Sequence, residues 1–254
     1  MDIKPQLIPK LKSLRLSGIL ETLDVRNRQA IEDKLSYVEF LERLLEDEVE
    51  RRAQKQLVMR LRRASFTAEK TLEGFDWSFN PSLNKQQILD LATGRWIERK
   101  EGVLIVGPSG VGKSHLAQAL GQEACRRGYS VLFITVIKML AQINGGRADG
   151  TRDKRLANFL RPDLLVLDDF GLRLLSGREP EDFYEVINER YERGSILVTS
   201  NRDYREWPGA FGENPLLASA ALDRLAHRAH LITIKGASYR AQERPQMMAK
   251  QETV

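Results

Sequence analysis

Eight consecutive residues, Gly107, Pro108, Ser109, Gly110, Val111, Gly112, Lys113 and Ser114, follow a short apolar run and open a helical stretch, 115–126. Three glycines within eight positions allow backbone conformations closed to other residues, so successive amide N–H groups can face one set of phosphate oxygens. Lys113 supplies a positive charge for the β- and γ-phosphates, and Ser114 offers a hydroxyl to Mg2+. The helix N-terminus that follows adds its dipole. His115, the next residue, completes the nucleotide-contacting set, with its side chain read as structural. The strand before and the helix after turn a pattern into a phosphate-binding mechanism.

Two further groups belong to the same chemistry. The run Leu164-Leu-Val-Leu ends in Asp168 and Asp169. A carboxylate at the end of a strand beside the loop reaches its magnesium, so Asp168 is expected as the metal contact and Asp169 as the group that polarises the attacking water. A third apolar run, 196–199, closes in Ser200 and Asn201, and Asn201 is placed to hold that water or to sense the γ-phosphate. The guanine-reading pattern Asn-Lys-x-Asp does not follow the loop, which favours ATP.

These groups need a scaffold. Short β-branched runs recur at 103–106, 131–135, 164–167, 196–199 and 231–234, separated by helical stretches. Runs of this kind suit strands buried on both faces, which predicts a five-stranded parallel sheet flanked by helices in an α/β domain spanning 71–254. Residues 71–100 read as a connection that includes one short amphipathic helix over 85–96. Residues 1–70 carry helical periodicity and predict an all-helical N-terminal domain for assembly, DNA or partner contacts. Within it, Ser36 and Glu39 form a capping box for a helix over 36–63, along which Tyr37, Phe40, Leu41, Leu44, Leu45 and Val49 recur at helical spacing. That helix is acidic in its first half and basic from Arg51 to Arg63, either to complement its own dipole or to meet DNA or a partner's acidic face.

With 254 residues, 42% apolar and 30% charged, the chain has the balance of a folded domain pair. Its single cysteine, Cys125, excludes an intrachain disulfide and fits a reducing cytoplasm. No run of about 18 apolar residues is present, so no membrane insertion is expected. The net charge of +5 leans towards polyanions. The glycine-rich basic stretch 145–155 predicts a flexible loop tracking a phosphate backbone, with Arg147, Arg152, Lys154 and Arg155 as its cations.

The order phosphate loop, Leu167-Asp-Asp-Phe-Gly171, Thr199-Ser-Asn201, Leu222-Asp-Arg-Leu225 and Ser238-Tyr-Arg240 resembles the AAA+ ATPases, and more narrowly the IstB family of insertion-sequence helper proteins, similar in turn to DnaC-type helicase loaders. The resemblance implies a homo-oligomer that binds double-stranded DNA with little sequence preference and recruits or activates a transposase. It further implies ATP held between subunits, with Arg224 reaching into the neighbour's site and Arg240 as a second γ-phosphate-sensing arginine. Little chain follows Arg240, so a separate helical lid is expected to be reduced or absent. The alternative that shares this core is a replicative helicase loader.

Overall fold

A computed structural model of the chain describes residues 5–81, 83–239 and 241. It divides into two compact units between Met59 and Arg60. The first holds α1 (Leu7–Ser13), α2 (Ser17–Glu32) and most of α3 (Tyr37–Ala64). The expected capping box starts α3: the Ser36 amide donates to Glu39 Oε2 at 2.7 Å and the Glu39 amide to Ser36 Oγ at 3.3 Å. The start of α2 is satisfied from α3. The amides of Gly18 and Ile19 donate to Glu48 Oε2 at 2.6 and 3.4 Å, and a Cβ at Gly18 would lie 2.7 Å from Glu48 Cα, so only glycine permits this approach. Arg26 grips Asp47 with both forks at 2.9 and 2.7 Å, and that hydrogen bond lowers the Asp47 carboxyl to about 2. Of the apolar face expected on α3, Leu44 is buried, whereas Tyr37, Leu41, Leu45 and Val49 are exposed.

The second unit carries, in chain order, α4 (Lys85–Ala92), α5 (Arg95–Glu98), β1 (Gly102–Val106), α6 (Lys113–Arg126), β2 (Val131–Thr135), α7 (Val136–Ala148), α8 (Arg152–Leu160), β3 (Leu164–Phe170), α9 (Glu179–Arg190), β4 (Ser195–Ser200), a 3-10 segment (Tyr204–Phe211), α10 (Pro215–Ala226) and β5 (Ala229–Thr233). All strand pairings are parallel, in the order β2-β3-β4-β1-β5. Leu164, Leu165, Val166 and Leu167 have no exposed surface, as expected of a central strand covered on both faces. The single helix expected over 85–96 is two, because Gly94 adopts φ +76 and stops α4 before α5 begins.

The order of the sheet decides where the chemistry lies. β1 sits between β4 and β5, and β3 lies beyond β4, so the loops leaving the C-terminal ends of β1, β3 and β4 are neighbours. Cys125 lies in α6 with no exposed surface, and burial pushes its thiol up to about 11. No helix among the described residues is long and apolar enough to cross a membrane. No helical domain follows β5 among the described residues.

Candidate nucleotide site

The loop between β1 and α6 is held from outside. The Tyr239 amide donates to the Gly110 carbonyl at 3.0 Å, and the buried Asn80 side chain donates to the Val111 carbonyl at 3.0 Å. Gly110 and Gly112 have φ +82 and +98, and a Cβ at either would strike Ser238 or the Phe75 ring, so both positions require glycine. Lys113, the first residue of α6, is nearly buried. Its ammonium donates to the Pro108 carbonyl at 2.7 Å and to Asn201 Oδ1. The loop lysine and the strand-end asparagine, 88 residues apart, therefore share one site.

Asp168 and Asp169 join them through a feature no strand pattern announces. Leu167 pairs with Val198 but Phe170 pairs with Ser200, so the two acids together oppose the single residue Thr199. This is a β-bulge, and it carries Asp169 to φ +60, a left-handed conformation that aspartate tolerates better than most side chains. Thr199 holds both acids. Its hydroxyl donates to Asp168 Oδ1 and accepts the Asp169 amide at 3.1 Å. Burial raises the Asp168 carboxyl above the usual range and the Asp169 charge adds to this, whereas hydrogen bonds from Thr199 and Ser114 and the Lys113 charge oppose it. Asp168 and Ser114 line one cleft. A hydroxyl and a carboxylate, both hard oxygen donors meeting at the foot of a phosphate loop, are a donor set that suits Mg2+.

The remaining wall comes from a segment that reads in the sequence as mere connection. Phe75, Asp76, Phe79 and Asn80 line one cleft of about 810 Å3 together with Gly112, Lys113, Ser114, Asp168, Asp169, Asn201 and Tyr239. The connection is thus part of the site. Gln118 in α6 holds the residues just before it, which the sequence pattern assigns to the N-terminal domain, by accepting from the Thr67 amide, the Thr67 hydroxyl and the Ala68 amide at 3.0 to 3.3 Å. His115 also lines the cleft, and its ring is held on that connection: Nε2 lies 2.9 Å from the Thr71 carbonyl, and the ring meets Phe75 edge to face.

Two other expectations find different surroundings. The stretch 145–155 is not a flexible loop but the end of α7 and the start of α8. The physical reason is Asp182, fully buried on α9, which takes both forks of Arg147 at 2.6 Å and Arg152 at 3.0 Å. Burial alone would raise Asp182, yet these guanidiniums bring it below the carboxylate range. Arg152 also bonds Glu185, and Arg155 bonds Asp149 at 2.5 Å, so of the four cations Lys154 alone is without an ion pair among the described residues. Arg224 does not face the cleft of its own chain. It stands in the last turn of α10, beside the start of β1, where the Leu225 carbonyl lies near Gly102. The phosphate loop leaves the other end of β1, about 13 Å away along a strand of this length. Arg240 lies outside the described residues.

Against known proteins, the family model described as IstB-like ATP binding protein matches residues 9–247 of this chain. The chain belongs to that family. Among relatives, this IstB-like chain is 43% identical over 242 residues to an insertion-sequence ATP-binding protein of Mycobacterium tuberculosis, covering 95% of this chain and 96% of the relative. Its fold is that of the AAA+ ATPases. Solved structures like it include AMPPCP-bound DnaA from Aquifex aeolicus, at a TM-score of 0.56 and 24% identity over 67% of this chain and 51% of that one. The DnaC helicase loader is similar at a TM-score of 0.50 and 25% identity, over 59% of this chain and 87% of the loader. The IstB-like family match spans both compact units, not the ATP-binding core alone.

Proposed function

We propose that this IstB-like chain is a DNA-bound ATPase whose sites are completed between subunits and which serves a transposase. The observation that supports the reading is the position of Arg224, in the last turn of α10 at the opposite end of β1 from the phosphate loop, where it does not line the nucleotide cleft of its own chain. Within one chain, the loop amides and Lys113 bind the triphosphate. Ser114 and Asp168 would hold magnesium, which supplies charge neutralisation across the β- and γ-phosphates when bound. Asp169 orients the attacking water and accepts its proton, and Asn201, now bonded to Lys113, faces the same phosphate end. Arg224 of the next copy then meets charge developing on the transferred group. An enzyme built this way is idle as a single copy. Turnover per subunit is expected to rise steeply with protein concentration until assembly saturates, measured as phosphate release across a dilution series; a rate per subunit that stays flat down to the monomer range overturns the shared site.

DNA enters this proposal through charge. In the N-terminal unit, Lys12, Arg15, Arg51, Arg52 and Lys55 line a groove of about 600 Å3 in which Glu48 is the only acid among the described residues. Lys12, Arg15 and Lys55 have no ion pair among the described residues, unlike the arginines tied to Asp182. Phosphate contacts release counterions, so duplex affinity is expected to fall steeply with salt and to vary little among sequences. Charge reversal of Lys12, Arg15 and Lys55 should lower the slope of log affinity against log salt by about 0.9 for every phosphate that is no longer neutralised. Reversal that leaves affinity and slope unchanged removes DNA from this groove and leaves Lys154 on α8 as the next position to test. The transposase partner is favoured over a replicative helicase because the insertion-sequence relative matches the N-terminal unit as well, whereas the likeness to the loader covers 59% of the chain.

A further inference from the structure

The geometry points to Tyr184 and Tyr191 as positioning residues that hold Arg224 ready for the neighbouring subunit. This rests on the reading of Arg224 as a residue acting in trans. Three contacts define the arrangement. The Arg224 guanidinium carbon lies 5.4 Å from the centre of the Tyr184 ring and 5.8 Å from that of Tyr191, and Nη1 donates to the Ala220 carbonyl, one turn back on α10, at 2.9 Å. No ion pair joins Arg224 to Asp223 or to any other acid among the described residues, so a surface salt bridge does not account for its place.

The rings are themselves fixed. Tyr184 lies on α9 and Tyr191 is the residue that closes its C-terminal end, and α9 packs against α10, the helix that bears Arg224. The Tyr191 hydroxyl lies 2.9 Å from His227 Nδ1, just past the end of α10, which ties the second ring to the element that bears the arginine. The end of α9 is pinned by Arg190. This side chain is fully buried and donates to the carbonyls of Phe159, Leu160, Pro162, Asp163 and Ser195 at 2.7 to 3.2 Å. A guanidinium on aromatic faces keeps its charge and most of its N–H donors, since rings take no hydrogen from them in the plane of the fork. An acid in their place would neutralise the arginine and compete with phosphate. Aromatic seats restrict a long, flexible side chain without consuming the charge it must deliver.

The test uses the full chain under assembling conditions. Tyr184→Leu and Tyr191→Leu are expected to bind a fluorescent ATP analogue with parental affinity and to leave KM unchanged, while kcat falls about tenfold each, the range that a lost cation–π seat allows. Tyr184→Phe keeps the ring and should restore kcat. Mixing assigns the tyrosines to one side of the interface: subunits with Tyr184→Leu regain activity with Lys113→Ala subunits, which bring an intact arginine, and gain nothing from Arg224→Ala subunits. Should either leucine variant melt early, Tyr184→Gln and His227→Ala take its place, with the same expected pattern. Parental kcat in the ring-less variants, alongside an inactive Arg224→Ala, overturns the aromatic seat and leaves the shared site standing. A fully active Arg224→Ala overturns the shared site itself.

Discussion

Arg224→Ala subunits are expected to bind ATP as the parent does and to hydrolyse it 10³- to 10⁵-fold more slowly, about what an arginine finger contributes to phosphoryl transfer. Binding survives because the groups proposed to meet the ground-state phosphates, the loop amides and Lys113, lie at the other end of β1 from Arg224. Turnover does not, because in the proposed shared site only charge that develops during transfer calls on the neighbour. Lys113→Ala should show the complementary defect, an intact arginine beside a pocket that no longer retains ATP. Neither protein is active alone. Mixed, they should form some sites in which an Arg224→Ala pocket meets a Lys113→Ala arginine, so that activity partly returns. Confirmed hetero-assembly without any recovery, or Arg224→Ala turning over at the parental rate, would remove Arg224 from the reaction.

Asp169→Asn should trap ATP. Asparagine adopts the left-handed conformation at least as readily as aspartate, so the bulge and its amide bond to Thr199 remain. What disappears is the basicity proposed to orient the attacking water, and general-base catalysis is worth about 10² to 10⁴ in rate. Bound nucleotide recovered from the variant after gel filtration should be ATP, where the parent yields ADP. If phosphate release in Asp169→Asn matches the parent, the base is another group. Asp168→Asn should behave differently, because its carboxylate, bonded to Thr199, is the proposed magnesium contact and its loss would weaken metal-dependent nucleotide binding first.

The contrast between those two acids shows where sequence reading runs out. That Asp168 and Asp169 end an apolar strand is local and legible, as is the glycine spacing of the loop. Which acid faces what depends on a two-against-one pairing with β4, and register is a property of two strands that neither one carries alone. The grip of Thr199 on both acids is invisible for that reason: the residue belongs to a strand-end motif, but its partners lie on another strand. Arg147 and Arg152 mislead in the opposite direction. Their glycine-rich, basic surroundings suggest a mobile loop, but Asp182 lies 35 residues beyond Arg147 and turns both into struts between helices. The segment before α4 passes for a plain connection because its tie to the site runs through Gln118 and Asn80, polar side chains whose partners are mostly backbone groups.

The solitary thiol of Cys125 gives the molecule a built-in reporter. It is sealed inside α6 with its pKa pushed up to about 11, so at neutral pH it is both hidden and almost wholly protonated, two independent brakes on alkylation. Labelling by a maleimide then proceeds only through conformers in which α6 has opened, and its rate reads the population of those conformers without any engineered probe. The same helix begins at Lys113, on the phosphate loop. Nucleotide that binds only the closed loop withdraws molecules from the reactive pool, and at about a hundred times its dissociation constant it slows modification about a hundredfold. A sulfur that takes no part in chemistry thereby becomes a gauge of ligand affinity.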